Sequence, residues 1–386
     1  KLFQPDYLLL SGELSYRPVV TVSYFTDYFL WGLNPKGFHL TNIFLQSANA
    51  LLFYLFLKRI VRRNTVAFIA ALLFATHPAL TETVNAISYR EDLLAALFFL
   101  ISFILFLKVD RDPLTRGKYL LYSTGALFSY FLSLFSKEMP VTLPILLVLG
   151  NLFCFSSTSI RYPFAKGTKG IYLGYLIITG FYLFIRFVLF RHTYLRLDRY
   201  HDNIFVMVKV LASYLRILFF PGNLNADYVV PPAANGVISL LISVFLVVTV
   251  AILIIRMCRN DKRCWFFPLW FFITLLPVSN IIPLENVMAE RYLYIPIMGF
   301  CGVIGMLIQN CISGKNLATI GFVVIIIIAS ITSIYRNGIW RDEFTLWYST
   351  VNREPGSVRA HLNLGVVHNA KGFYDYAELE YKKTLE

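Results

Sequence analysis

Six short stretches hold ionisable side chains at the ends of apolar runs, where charge is expensive and its presence is a functional hypothesis by default. The richest begins at His77-Pro78 and continues through Glu82, Arg90, Glu91 and Asp92. The others are Tyr16-Arg17-Pro18, Gly37-Phe38-His39-Leu40, Ser136-Lys137-Glu138, Arg186 within FYLFIRFVLF, and Glu290-Arg291-Tyr292-Leu293-Tyr294. Carboxylates there can take a proton, bind a cation or hold a sugar, and guanidinium groups can neutralise a phosphate. Each stretch also has a plain structural reading. Arg17, Lys137 and Glu138 can be interfacial anchors, and His39 a hydrogen-bonded group at a helix start. Arg186 has no acid beside it in sequence, so it either snorkels or aims at a lipid phosphate. Glu82 and Arg90 are eight apart, which on a continuous helix separates them by about 80°. The cluster they belong to is either a binding site or an ion-pair network that fixes helix packing. Glu290 and Arg291 are adjacent and do not share a helix face, so one can pair internally while the other meets a ligand.

What is missing also narrows the chemistry. No Walker loop, G-x-S-x-G, H-E-x-x-H or G-x-G-x-x-G is present, so ATPase, esterase and zincin readings have no support. Cys154, Cys258, Cys264, Cys301 and Cys311 form no C-x-x-C pair and lie in or beside apolar runs. They read as small buried hydrophobes rather than as disulfides or a zinc site, and no closed metal-ligand set is visible. The net charge of +13 would suggest nucleic acid in a soluble chain. Here the basic residues fall in short loops between apolar runs, so membrane topology accounts for them and nucleic acid is not an expected partner.

The elements that must position these groups are membrane helices. Of the 386 residues, 57% are hydrophobic and only 15% charged, against about 25% charged in soluble domains. Phe (35) and Tyr (24) are abundant, as at membrane interfaces. Ten candidate spans fall near 38–57, 66–80, 93–107, 119–135, 141–155, 171–190, 237–256, 265–282, 292–312 and 317–334. Alternate loops collect the cations: Lys58, Arg59, Arg62 and Arg63; Lys108, Arg111, Arg116 and Lys118; Arg161, Lys166 and Lys169; Arg256, Arg259, Lys262 and Arg263; Lys315. Those loops are expected on the cytoplasmic side. Both ends of the chain and all six ionisable stretches then face the periplasm, extracellular space or ER lumen. Residues 204–220 are apolar but carry Lys209 and Arg216, and read as a helix lying in the outer interface or dipping back. Past Trp340 the chain turns polar. From Val358 on, Leu364-Gly365, Ala377, Tyr381 and Thr384 fit the helix-turn-helix spacing of a tetratricopeptide repeat. One repeat cannot bury its own apolar face, so more are expected beyond Glu386. The opening Lys1-Leu2-Phe3-Gln4-Pro5, with neither Met nor signal peptide, is likewise expected to follow a missing segment.

The run YRPVVTVSYFTDYFLWGLNPKGFHLTNIFLQSANALLFYL resembles the family of transmembrane and tetratricopeptide-repeat O-mannosyltransferases. So do HPALTETVNAISYREDLLAALFFL, SKEMPVTLP and AERYLYIPIMGF, and WRDEFTLWYSTVNREPGSVRAHLNLG resembles that family's junction into its repeats. The resemblance covers nearly the whole chain, and a prokaryotic relative of the family is among the readings it leaves open. It implies an all-α polytopic bundle of the glycosyltransferase C type, followed by the start of an α-solenoid. It further implies inverting transfer of a sugar, mannose in the namesake members, from a polyprenyl- or dolichyl-phosphate carrier to protein Ser or Thr hydroxyls. His77, Glu82 and Asp92 match the family motif of the second outer loop. The family's acidic catalytic motif lies in a first outer loop that this chain lacks, and neither Asp6 nor Glu13 has its context. The catalytic base is therefore expected upstream of Lys1.

The resulting expectation is a multi-pass enzyme of a prokaryotic plasma membrane or the ER membrane. It has an outer segment (1–36), a transmembrane transferase-like part (37–339) and a junction with a first repeat (340–386). The candidates for substrate binding are Arg17, His39, His77, Glu82, Arg90, Asp92, Lys137, Glu138, Arg186, Glu290 and Arg291. The partners are a lipid-linked sugar and an acceptor polypeptide held by the repeats. The competing readings are a membrane-anchored repeat scaffold without catalysis and a transporter of lipid-linked sugar. A transporter should place its charges near mid-membrane.

Overall fold

Inside a bilayer no water satisfies backbone N–H and C=O groups, so long apolar runs must become helices. The computed structural model describes residues 16–61, 63–155, 168–189, 203–230, 237–259, 261–281, 284, 286–312 and 316–385, and among these there is no strand. The chain is an all-α membrane helix bundle. In order, the helices are α1 (Pro18–Trp31), α2 (Pro35–Val61), α3 (Asn64–Thr76), the short α4 (Thr81–Asn85), α5 (Arg90–Arg111) and α6 (Arg116–Leu134). Then come α7 (Leu143–Gly150), α8 (Lys169–Phe184), α9 (Asn203–Phe219), α10 (Val237–Cys258), α11 (Phe266–Leu275), α12 (Pro296–Ile312) and α13 (Asn316–Ile339). Three polar helices close the chain: α14 (Glu343–Arg353), α15 (Val358–Ala370) and α16 (Tyr374–Leu385).

Each of the ten windows read from the sequence overlaps a helix, but they are not ten equivalent spans. Five helical segments among the described residues are long and apolar enough to cross a membrane: Pro35–Val61, Ile87–Arg111, Lys169–Val188, Val237–Cys258 and Thr319–Ile339. A sixth results if α3 and the following Pro78–Asn85, bent by 52°, count as one broken span. Met139–Cys154 and Pro296–Gln309 are apolar but shorter. The reason is shelter: a helix covered by its neighbours need not span the full hydrocarbon thickness alone. In α11, Phe266, Phe267, Trp270 and Phe271 are all buried. By contrast only 6% of the apolar window of α10 is buried, and 11% of that of α13. Such broad aliphatic faces are stable against lipid, whereas in water they would aggregate.

The core is aromatic. Phe103 stacks on Trp270 at 5.7 Å, and Phe56 and Phe99 lean on the same indole. The Trp270 indole N–H donates to Ile295 O (3.0 Å), so its polar atom is satisfied. Close approach of α11 and α12 requires Gly299, where a Cβ would stand 2.5 Å from Phe267 O. Small residues allow membrane helices to pack this way.

The two sets of loops separate to opposite ends of the bundle. At the basic end Arg59 pairs with Asp112 (3.5 Å), and Arg111 donates to Arg59 O (2.5 Å) and Cys154 O (3.4 Å). Arg62, Arg161, Lys166 and Lys315 lie outside the described residues, as do Asp6 and Glu13. At the other end, Asn85 donates to Asn337 (2.8 Å) and Arg291 to Glu82 (2.8 Å). Helix α9 stays at this second end. Asn280 donates to Met207 Sδ (3.3 Å), Tyr214 bridges to Ala289, and Leu218 O meets His77. The contacts of α9 fit a helix lying across the bundle end rather than traversing it.

The terminal hairpin docks on this same end. Ser357 Oγ accepts from Ala360 N (3.0 Å) to start α15 and donates to Asp227 (2.6 Å). Arg359 donates to Asn286 (2.6 Å), and Arg353 to Leu224 O. Gly365 lies against the Tyr381 ring, Ala377 is buried, and Gly372 (φ +79°) turns the chain between α15 and α16. His361 and Glu380 pair at 2.5 Å. Burial would raise the Glu380 carboxyl, but hydrogen bonds from His361 and Lys383 outweigh it and hold it below the usual range. Stability from such a group is fully present above the unfolded value of about 4.3 and is lost as pH falls through the lower native value. The protection of amides across α15 and α16, relative to the unfolded chain at the same pH, is therefore expected to fall on acidification below about pH 4. Glu380→Gln should flatten that dependence, and an unchanged profile in this variant would contradict the assignment.

Candidate functional site

The helix break between α4 and α5 organises the site. α4 ends at Ala86, whose backbone is extended (ψ 116°), and a 3₁₀ turn over Ile87–Tyr89 precedes α5. Glu82 and Arg90 are therefore not on one continuous helix, and the 80° relation drawn from their spacing does not hold. They turn to different partners. Glu82 accepts from the Arg291 side chain (2.8 Å) and from Arg291 N (2.9 Å), and is 1% exposed. Arg90 is fully buried: it pairs with Asp27 (2.5 Å) and donates to Asn42 Oδ1 (2.8 Å) and Phe38 O (2.9 Å). Its guanidinium also lies over the Tyr24 ring at 4.9 Å.

Five of the candidates form one connected network. Lys137 donates to Asp92 (2.6 Å) and pairs with Glu91 (3.1 Å). Arg17 pairs with Glu91 and reaches Glu138 at 3.4 Å, and Arg186 meets the same Glu138 oxygen at 3.3 Å. Arg186, which has no acidic neighbour in sequence, thus has one in space, and Tyr182 OH lies 2.9 Å from it. Arg291 adjoins the network through the aromatic pair Tyr89 and Tyr292, with its guanidinium 4.3 Å and 5.1 Å from the two rings. Lys137 Nζ is 5.7 Å from the Tyr292 ring.

Exposure is graded across this network. The Lys137 and Asp92 side chains are 2% and 0% exposed, whereas those of Arg17, Glu138 and Arg186 are 22%, 17% and 16% exposed. The open edge is therefore two guanidinium groups bridged by one carboxylate. Burial would raise the Glu138 carboxyl, but Arg186, Arg17 and Lys137 outweigh it and hold it well below the usual range. A carboxylate so strongly held as the anion is a poor proton acceptor. Asp92 differs: its Oδ1 is buried and has no hydrogen-bond partner among the described residues.

The remaining candidates sit apart. His77 Nδ1 accepts from Ala79 N (3.2 Å), which leaves Nε2 protonated to donate to Leu218 O (3.1 Å). Its role is to tie the end of α3 to α9. His39 is half-buried on α2, one residue after the carbonyl that Arg90 uses. Glu290 and Arg291 both pair internally, contrary to the expected division of labour. Glu290 takes Arg336 (3.0 Å), Asn225 N (2.6 Å) and Tyr228 OH (2.6 Å). Asp27, Asn42, Tyr228 and Arg336 were not among the sequence candidates, nor was Glu91, although it lies within the richest stretch. Asp27 and Arg336 left one readable signal each, a lone charge beside an apolar run. Among the described residues no group of three His, Cys, Asp or Glu is arranged to hold a metal.

Fold and site together define a multi-pass membrane protein with a connected acid–base network at one end of its bundle. The chain is similar over 97% of its length to a protein O-mannosyl-transferase of Caenorhabditis elegans, at 29% identity across 394 residues. It is also similar to human protein O-mannosyl-transferase TMTC3 (25% identical, 96% of this chain) and human TMTC4 (29%, 92%). The chain spans about half the length of these curated relatives: 54%, 45% and 56%, respectively. No family model matches it. No solved structure matches it either.

The Lys137–Asp92 pair makes a direct prediction. Removing one partner of a buried ion pair costs about 3–5 kcal/mol, because the other charge is stranded. Lys137→Met is expected to destabilise the bundle by that order in denaturant titration, while Lys137→Met with Asp92→Asn recovers most of the loss. Equal destabilisation in the single and double variants would show that the pair is not coupled.

Proposed function

We propose that this chain is the membrane part of a protein O-glycosyltransferase. It moves a sugar, mannose in this reading, from a polyprenyl- or dolichyl-phosphate carrier to Ser or Thr hydroxyls of an acceptor polypeptide. The carrying observation is the similarity to protein O-mannosyl-transferases along 92–97% of the chain. The open Arg17–Glu138–Arg186 edge, with Arg291 behind it, supports the phosphate-binding part of the reading. The acceptor oxygen attacks the anomeric carbon, the bond from that carbon to the phosphate oxygen breaks, and the acceptor proton passes to a base. The carrier phosphate leaves with two negative charges, which fixed cations stabilise in the transition state. In this proposal Arg17 and Arg186 meet the phosphate, and Glu82 positions Arg291 through its side chain and backbone. Asp92, enclosed, holds Lys137 behind that edge. The base belongs to the first outer loop, which the family resemblance puts ahead of Lys1.

The charged end faces the lumen or periplasm, because the opposite end holds the loops rich in Lys and Arg. Charges gathered at one end favour interfacial chemistry over a transporter, which would hold its charges at mid-membrane. The docked hairpin, fastened at Asp227 and Asn286, supports delivery of the acceptor polypeptide on the same side.

The test uses the full-length protein in nanodiscs, with transfer of mannose from dolichyl phosphate to a Ser/Thr peptide as the readout. Arg186→Ala and Arg17→Ala are each expected to lower kcat/KM by on the order of 100-fold. Arg90→Ala should instead reduce the yield of folded protein, since Arg90 is bound up with Asp27. Unchanged transfer in an Arg17→Ala/Arg186→Ala protein would remove the phosphate-site assignment, whereas no transfer by the unsubstituted protein would favour a scaffold.

A further inference from the structure

A second charged feature lies at the basic end of the bundle, away from the proposed transfer site. A cavity of about 70 Å³ opens between the α2–α3 turn, the turn that follows α7, the α10–α11 connection and α12. Its walls include Ile60, Val66, Phe267 and Met306, and its rim carries Arg63, Arg263 and Asp261. Most polar groups nearby are committed. Arg59 pairs with Asp112, Arg111 donates to two carbonyls, and Asp261 accepts from Arg263 N (2.9 Å) to cap the following turn. Arg63 and Arg263 are exposed, and neither side chain has an ion-pair partner among the described residues. Two guanidinium groups from different loops thus meet over an apolar hollow where the membrane helices end.

Guanidinium pairs match phosphate oxygens in charge and geometry. A soluble anion has no use for an aliphatic and aromatic floor, whereas a phospholipid joins a phosphate to apolar carbon. Basic pockets between membrane helices on the cytoplasmic side bind anionic headgroups in this manner. We propose that this cavity binds the headgroup phosphate of an anionic phospholipid, in the leaflet opposite the transfer site. Arg63 and Arg263 take the phosphate, and the carbon next to it lies over the apolar wall. Asp261 lowers the local charge by one and disfavours a headgroup carrying its own carboxylate. This inference is independent of the proposed transferase activity.

The test titrates delipidated full-length protein in detergent with phosphatidylglycerol, phosphatidylcholine or inorganic phosphate, and follows bound ligand by native mass spectrometry. Phosphatidylglycerol is expected to bind with at least about tenfold preference over phosphatidylcholine. Arg63→Gln with Arg263→Gln should abolish that preference, while Arg116→Gln with Lys118→Gln, in another basic loop, should leave it intact. Met306→Trp, which fills the cavity and keeps both cations, should also weaken binding, so the proposal survives testing if the arginine variant misfolds. Equal binding of both lipids, or equal loss in the control, would overturn it. Competition by inorganic phosphate at the same concentration as phosphatidylglycerol would reassign the site to a free anion and overturn the lipid reading.

Discussion

The constraint that governs this structure is the cost of charge in an apolar surrounding. At the end of the bundle that holds this network, arginine and lysine side chains are met by carboxylates from elsewhere in the chain. Arg90 meets Asp27, Lys137 meets Asp92, Arg186 meets Glu138, Arg291 meets Glu82 and Arg336 meets Glu290. Each pair closes a long sequence separation, up to 209 residues for Glu82 and Arg291. Desolvation makes a solitary charge there prohibitive, and the pairs themselves are nearly neutral in stability. What they supply is register. A bundle held only by lipid-like contacts could rotate or slide its helices at little cost, but a buried lysine has few places to go.

The same constraint accounts for the irregular backbone. α4 is a single turn, the chain opens at Ala86, and a 3₁₀ turn leads into α5. That break lets Glu82 reach Arg291 while Arg90 turns to Asp27 and Asn42, and Glu91 and Asp92 turn to Lys137. One regular helix through 81–111 would give each of these groups a fixed angular position and lose that divergence. Non-helical backbone at this depth is tolerated where protein buries it, and the aromatic rings of Tyr24, Tyr89 and Tyr292 supply the cover. The outcome is a gradient, with Lys137 and Asp92 enclosed and Arg17, Glu138 and Arg186 toward the surface.

The sequence was most legible where a rule is local. Apolar runs located the helices, alternating basic loops sorted the two ends, and the Gly365, Ala377 and Tyr381 spacing anticipated the contact between α15 and α16. The count of spans did not follow, because shelter by neighbours, not composition, lets α11 remain short. The charged stretches were found but not their pairing. Arg186 looked unpartnered since Glu138 is 48 residues away, and the Glu82–Arg90 relation failed because nothing in TETVNAISYR signals an open turn at Ala86. Asp27 and Arg336 passed unremarked as single charges beside apolar runs, yet each closes a buried pair.

Arg336 shows how the membrane bundle and the polar helices are made one unit. It sits in the last turn of α13, pairs with Glu290, and donates to Leu224 O. Arg353, in α14, donates to that same carbonyl, and Asp227 three residues on receives Ser357 and Arg359. The segment around 224–228 is therefore gripped from the bundle side through Glu290, Asn225 and Tyr228 and from the hairpin side through Asp227. Glu290 is bonded in turn to Arg291, whose guanidinium stands on Tyr89 beside the Lys137–Asp92 pair. A displacement of the hairpin is thus opposed by groups that are continuous with the buried network. Two carbonyl lone pairs at Leu224, shared by two arginines, carry that continuity across what the change from apolar to polar sequence would suggest is a loose junction.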